Sequence, residues 1–199
     1  MTPSTSQITG LVLAGGRGSR MGGVDKGLQP LNGMPMIKHV IERLSPQVGA
    51  LMINANQNLE RYRAFGLPLW PDQLTGFAGP LAGLHTGLMH CATDYLVTAP
   101  CDSPFLPPDL VARLRAALAA QEANLAVAAT EENGTRRLHP VFCLMHVSVL
   151  PSLTAYLDDG GRKFETWCRS LRLADVPFPD EAAFRNINTV EELRRFENP

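Results

Sequence analysis

Ile8-Thr-Gly-Leu-Val-Leu-Ala14 runs directly into Gly15-Gly-Arg-Gly-Ser-Arg-Met-Gly-Gly-Val-Asp-Lys26. The first stretch is a short apolar run that ends at glycines, the pattern of a buried strand. The second holds five glycines and three cations, Arg17, Arg20 and Lys26. Glycine lets backbone N–H groups turn inward around phosphate oxygens without a side-chain clash. The cations add charge where phosphates would sit. The plainer alternative is a glycine-rich turn with solvated cations. Two common phosphate loops do not fit. A Walker A loop needs Gly-Lys-Ser/Thr, but Lys26 stands between Asp25 and Gly27. A dinucleotide fingerprint counted from Gly16 meets Gly18 and then Met21 where glycine is required.

Outward from this loop, strand and helix patterns alternate. Met36–Leu44 places Ile37, Val40, Ile41 and Leu44 on one helical face. Ala50–Asn54 reads as a second buried strand, Leu59–Phe65 as a polar helix and Pro68–Pro71 as a short strand. Gly79-Pro-Leu-Ala-Gly83 opens a helix, with Pro80 near its first turn. Tyr95–Ala99 is a third buried strand, broken by Pro100-Cys-Asp-Ser-Pro104, and a helix runs from Asp109 to about Ala120. Further strands are predicted at Leu125–Ala129, Val141–Leu144 and Leu173–Val176, with helices at Val147–Leu157 and Lys163–Leu171. Thr189-Val-Glu-Glu192 has the capping-box pattern. The alternation predicts an α/β fold of three layers around a mostly parallel sheet, as one domain over residues 1–199. In such sheets ligands sit beyond the carboxyl ends of the strands. The unusual polar segments after Ala14, at Asn54 and after Ala99 all fall there, which predicts one shared site.

Composition narrows the partners. The net charge of −1 gives no broad field for nucleic acid or an anionic membrane, and a hydrophobic fraction of 45% suits a full core. Cys91, Cys101, Cys143 and Cys168 form no C-x-x-C pair, so a zinc knuckle is not expected. No charged-then-apolar leader precedes Ile8 and no apolar run approaches membrane-spanning length, so a cytoplasmic protein is expected.

Asp102 is a lone carboxylate just past a buried strand, fixed between prolines. Mg²⁺ is typically held by one or two carboxylates plus substrate phosphates, and Asp102 fits that role. It also fits a turn residue. Asp72, in Trp70-Pro-Asp72, is a second polar residue at a strand end, and on its own reads first as a turn residue. His139 before Pro140 is open between a loop histidine and an acceptor contact. Trp70 and Trp167 read as core, and Arg162-Lys163 as a solvated pair or a greeting for an anion.

Taken in order, Leu13-Ala-Gly-Gly16, Arg20-Met-Gly22, Lys26, Asn54-Ala-Asn56, Gly79-Pro-Leu-Ala-Gly83, Pro100-Cys-Asp-Ser-Pro104, Arg137-Leu-His-Pro140 and Asn186-Ile-Asn-Thr189 resemble the molybdenum cofactor guanylyltransferase family. The resemblance covers nearly the whole chain. It implies a three-layer Rossmann-like nucleotidyltransferase fold and transfer of GMP from GTP to molybdopterin carrying molybdenum. It also implies Mg²⁺ as the cofactor. By resemblance, Leu13, Ala14 and Gly15 contact the nucleotide, Lys26 binds phosphate, and Asn54 and Asp72 are further nucleotide contacts. Asp102 binds both nucleotide and metal. Arg20 joins Lys26 and Asp102 as a catalytic residue, and Gly23, Gly79, Pro80, Gly83, Asn186 and Asn188 serve the acceptor side. The N-terminal part would thus bind nucleotide and the C-terminal part help bind the acceptor. Gly18 stands where relatives often carry Ser. Guanine over cytosine rests on the resemblance alone. Open alternatives are a cytidylyl or sugar-phosphate nucleotidyltransferase, or a GTP-binding regulatory module without turnover. Transient contact with cofactor-delivering enzymes and with apo-molybdoenzymes is expected of a labile product.

Overall fold

The structure, a computed structural model, describes residues 2–16, 24–74, 79–132 and 134–197. Its centre is β1 (Ile8–Leu13), buried along its whole length. Period-two alternation divides this strand between two cores. Ile8 and Val12 face a cluster shared with α1 (Met36–Leu44) and α4 (Leu110–Ala120). Leu11 and Leu13 face the opposite cluster, with α3 (Pro80–His90), α5 (Leu150–Asp158) and α6 (Phe164–Arg169). The three layers follow from that division.

Beside β1 lie β4 (Ala50–Asn54) and β6 (Tyr95–Pro100), both parallel to it. Beyond β4 is the short parallel strand β5 (Leu69–Trp70), and beyond β6 come β8 (Thr135–His146), β7 (Leu125–Glu132) and β9 (Leu173–Pro177). Of these seven strands only β8 runs against the rest. The mostly parallel sheet expected from the sequence is what the chain builds. The register aligns Leu13 with both Asn54 and Pro100, and Asn54 with Trp70. These four residues form one row at the carboxyl edge of the sheet, and the polar segments follow that row.

Several elements differ from expectation. The predicted strands at Leu125–Ala129 and Val141–Leu144 are the inner parts of a longer antiparallel hairpin, β7 with β8. Its outer half is exposed and charged, so no apolar signal marked it. The helix expected from Val147 begins as a 3-10 turn, Val147–Val149, and becomes α-helical at Leu150. Ile41 sits at the edge of the buried face of α1, and Met36, at its start, is buried in a separate small core. The sequence reading missed a small hairpin of β2 (Pro30–Leu31) and β3 (Met34–Pro35). Its signal was Asn32-Gly33, both with positive φ (51° and 79°), the pair that a tight hairpin turn favours.

The last helix, α7 (Val190–Glu197), is capped as expected. The Glu192 backbone N–H donates to Thr189 Oγ1 at 3.1 Å, and Glu192 Oε2 accepts from the N–H groups of Thr189 and Asn188 at 3.2 and 2.7 Å. Leu31, Met36, Ile187 and Leu193 form a small third core beneath it.

Candidate functional site

Two polar clusters stand at the carboxyl edge of the sheet. The first gathers around Asp72, just after β5. Asn54 Nδ2 donates to Asp72 Oδ1 at 2.9 Å and to the Trp70 carbonyl at 3.0 Å. Asn56 Nδ2 donates to Asp72 Oδ2 at 2.8 Å and to the Gly15 carbonyl at 3.2 Å, and Asn56 Oδ1 accepts from the Asp72 N–H at 2.8 Å. Gln57 Nε2 holds the Gly16 carbonyl at 3.2 Å. The start of the glycine loop is thereby tied to the β4 and β5 ends.

Asn54 is only 2% exposed, with both amide hydrogens engaged inside the protein. Its place depends on two glycines. A Cβ at Gly15 would come within 2.7 Å of Asn56 Nδ2, and one at Gly83 would overlap Asn54 Oδ1 and reach 2.7 Å from Leu13 Cδ2. Gly83 lets α3 close onto this cluster. Gly79 stands before the helix at φ 60°, ψ −147°, a backbone region open to glycine, and exposed Pro80 follows it in the first turn. Of the expected acceptor-side residues, Gly79, Pro80 and Gly83 therefore belong to the start of α3.

The second cluster centres on Asp102, two residues past the end of β6. Lys26 Nζ donates to Asp102 Oδ2 at 3.1 Å and to Asn188 Oδ1 at 2.6 Å. The Ile187 N–H donates to the Asp102 carbonyl at 2.9 Å, and Ser103 Oγ donates to Asn186 Oδ1 at 2.7 Å. The segment 186–188 therefore runs across the Pro-Cys-Asp turn and closes it. Asp102 is 8% exposed. Burial pushes its carboxyl above the usual carboxylate range, and Lys26 pulls partly the other way. Lys26 carries three N–H donors, so it can hold Asp102 and Asn188 and still meet a phosphate oxygen.

A cavity of about 440 Å³ opens beside this cluster, reaching from Pro100 past His139 and Phe142 to Arg185, Asn186 and Asn188. A register shift makes room for it. Val127 pairs with Cys143, but the next residue, Ala128, pairs with His139, leaving Pro140–Phe142 outside the ladder. His139 stacks on Phe184 at 4.8 Å between centroids, its Nε2 2.8 Å from Thr130 Oγ1. Burial and the nearby Arg137 push His139 down to about 4. It is neutral at pH 7 and lines the cavity without adding charge.

The structure brings together Leu13, Ala14, Gly15, Asn54 and Asp72 in the first cluster, and Lys26, Asp102, Asn186 and Asn188 in the second. Arg20 and Gly23, with Arg17 and Gly18, lie outside the described residues. The sequence reading gave no individual role to Asn56, which grips Asp72, although it quoted Asn54-Ala-Asn56. It also overlooked Arg185, two residues before Ile187 on the cavity wall. Asn56 gains its role from Asp72, sixteen residues on, and Arg185 from the cavity it lines, so neither is marked by its local sequence. Among the described residues no group of three or more His, Cys, Asp and Glu is placed to cage a metal. A single buried carboxylate fits a hard cation shared with substrate phosphates, so Asp102 suits Mg²⁺ without a closed cage among the described residues.

A family model for the MobA-like NTP transferase domain matches residues 10–181. The chain belongs to the MobA-like NTP transferase family. As a member of that family it is a nucleotidyltransferase. A curated relative, the molybdenum cofactor guanylyltransferase of Cupriavidus necator, is 64% identical over 191 residues, 96% of each chain. Among solved structures, molybdopterin-guanine dinucleotide biosynthesis protein A from Archaeoglobus fulgidus superposes with a TM-score of 0.75 at 24% identity, covering 95% of this chain and 96% of that one. The bifunctional IspDF of Campylobacter jejuni gives a TM-score of 0.77 at 14% identity, over 95% of this chain and 54% of that one. These two likenesses show the shared fold, and the family adds that its members transfer nucleotides.

Proposed function

We propose that this MobA-like NTP transferase moves GMP from GTP onto the terminal phosphate of molybdenum-carrying molybdopterin and releases diphosphate. The name of the relative at 64% identity supports the substrates. The observation that carries the chemistry is Lys26 Nζ held 3.1 Å from the buried Asp102 carboxylate, beside a cavity of about 440 Å³. The acceptor phosphate oxygen forms the new bond to the α-phosphorus, and the bond from that phosphorus to the β-phosphate oxygen breaks. A phosphate monoester loses its second proton near about pH 6, so the attacking oxygen is already ionised and no strong base is required. Positioning and charge neutralisation are then the main contributions.

In this reading Leu13, Ala14 and Gly15 lie along the nucleotide, with Asn54, Asn56 and Asp72 fixing that edge. Lys26 neutralises the phosphates. Asp102 would hold Mg²⁺ jointly with them, and the ion would supply further neutralisation of the triphosphate. Arg20 would add a second cation. Asn186 and Asn188, with Gly23 and the Gly79–Gly83 turn, serve the acceptor. The chain would work as one domain, its N-terminal part for nucleotide and its C-terminal part for acceptor. No helix among the described residues is long and apolar enough to cross a membrane. A cytoplasmic site of action, with brief contact to the enzyme delivering molybdopterin and to apo-molybdoenzymes, accords with a labile product.

The test is diphosphate release from GTP and from CTP in parallel, with Mg²⁺ and molybdenum-loaded molybdopterin. Release with GTP alone, and only with the pterin present, is expected. Release with CTP instead would overturn the base assignment, and no release with either would overturn the acceptor.

A further inference from the structure

Lys26 is the residue on which both neutralisation and the Asp102 contact depend, yet lysine is a long and flexible chain. Something must fix its root. Lys26 opens a 3-10 turn, Lys26–Leu28, and the residue before it, Asp25, is 7% exposed. A carboxylate is seldom buried unless it is partnered. The hydroxyl of Tyr62, a fully buried residue of α2 (Leu59–Arg63), donates to Asp25 Oδ1 at 2.5 Å. Asn58 Nδ2 donates to Asp25 Oδ2 at 3.0 Å, and Gln29 Nε2 donates to the Asp25 carbonyl at 3.3 Å. Asn58 makes its contact from a left-handed backbone at φ 52°.

The turn is also pressed from the other side. A Cβ at Gly27 would come within 2.7 Å of the Tyr62 hydroxyl and 3.0 Å of Cys101 Sγ. The Lys26 turn therefore sits against α2 on one flank and the Pro-Cys-Asp turn on the other. Leu28 anchors it in the same core as Tyr62.

We propose that Asp25 and Tyr62 are positioning residues, whose hydrogen bond sets the turn that aims Lys26 at Asp102 and the nucleotide phosphates. The inference rests on the reading of Lys26 as the phosphate-binding lysine. The brace touches no substrate and acts only through Lys26. A purely structural role would lower stability without touching nucleotide affinity, so the two roles have different signatures.

The experiment is a double-mutant cycle on GTP binding, measured by calorimetry with Mg²⁺ on the full chain, with melting temperatures recorded for each variant. Tyr62→Phe keeps the ring and removes the hydroxyl. It is expected to weaken GTP binding about tenfold, because an unbraced Lys26 must be ordered when it meets the phosphates. In the Lys26→Met background the same change is expected to cost nothing further. Asn58→Gly loosens the other carboxylate oxygen while keeping a residue at ease with positive φ, and should repeat the pattern if Tyr62→Phe fails to fold. Leu157→Ala, in the core on the opposite face of the sheet from Tyr62 and Leu28, should lower the melting temperature and leave affinity unchanged. Unchanged affinity in Tyr62→Phe and Asn58→Gly, or a loss that adds in full to that of Lys26→Met, would overturn the inference. Intact GTP binding in Lys26→Met alone would instead remove the phosphate role of Lys26, and the brace with it.

Discussion

Asp102 is under two opposed demands: burial favours its protonated form, and the proposed hold on a cation would need the ionised one. Lys26 offsets part of the burial and favours the ionised form. Without that partner the raised pKa of Asp102 should climb further, since desolvation is its largest cause. For an acid whose folded pKa lies above the unfolded value, the folded state binds the proton more readily. Its stabilising contribution is then present at low pH and is lost as pH rises through the folded pKa. The melting temperature of Lys26→Met should therefore fall below the parent's at pH 7, and the gap should narrow toward pH 5. A gap independent of pH would show that the ion pair does not govern Asp102. Asp102→Ala should reduce turnover by about 100- to 1,000-fold, the scale of losing a key electrostatic contact.

His139 titrates in the opposite sense. Its folded pKa of about 4 lies below the ordinary 6.5, so the unfolded chain takes up the proton first and stability declines as pH drops from 6.5 toward 4. A thermal-melt series should show a shallower decline in His139→Gln. At this scale the sequence was legible where type and position single a residue out, as with Lys26 and Asp102, which the fold brings into contact. It was not where a role depends on a partner elsewhere. Asn188 gains its meaning from Lys26, and Tyr62 from Asp25.

Among the elements, β1, β4 and β6 were readable because each is a short apolar run buried on both faces. The outer half of the β7–β8 hairpin was not, because Glu131, Glu132, Arg136 and Arg137 carry its exposed face. The register shift that opens the cavity beside Pro140 depends on pairing across the hairpin and leaves no local signal. The junction of α7 with the site was half legible: the capping box was visible, its hold on Asn188 was not. Thr189→Ala should cost about 1 kcal/mol and speed amide exchange in α7. Unaltered exchange there would mean the cap does not hold the helix in place. At the head of α3, Gly83→Ala should cost about 1–3 kcal/mol through overpacking against Asn54. It should also weaken GTP binding, which a filter-binding titration would report.

Across the whole molecule, the row Leu13, Asn54, Trp70 and Pro100 gives one edge to which residues from position 13 to 188 converge. Alternating strands and helices predicted that edge, because parallel strands put their carboxyl ends on one side. They did not predict that the C-terminal segment would return to lie across the Asp102 turn. The Asp72 cluster and the Lys26–Asp102 cluster are held by separate side-chain hydrogen bonds but share β1 as their common support, which suits the proposed reaction, in which two substrates must be aligned. The most direct test of that account is to follow GTP labelled at its α-phosphorus in the presence of Mg²⁺ and molybdenum-loaded molybdopterin. The account predicts that the label appears in the pterin product, with one diphosphate released per label transferred, and that Asp102→Ala slows both together by about 100- to 1,000-fold. Label remaining in free guanine nucleotide while the pterin stays unlabelled would contradict it.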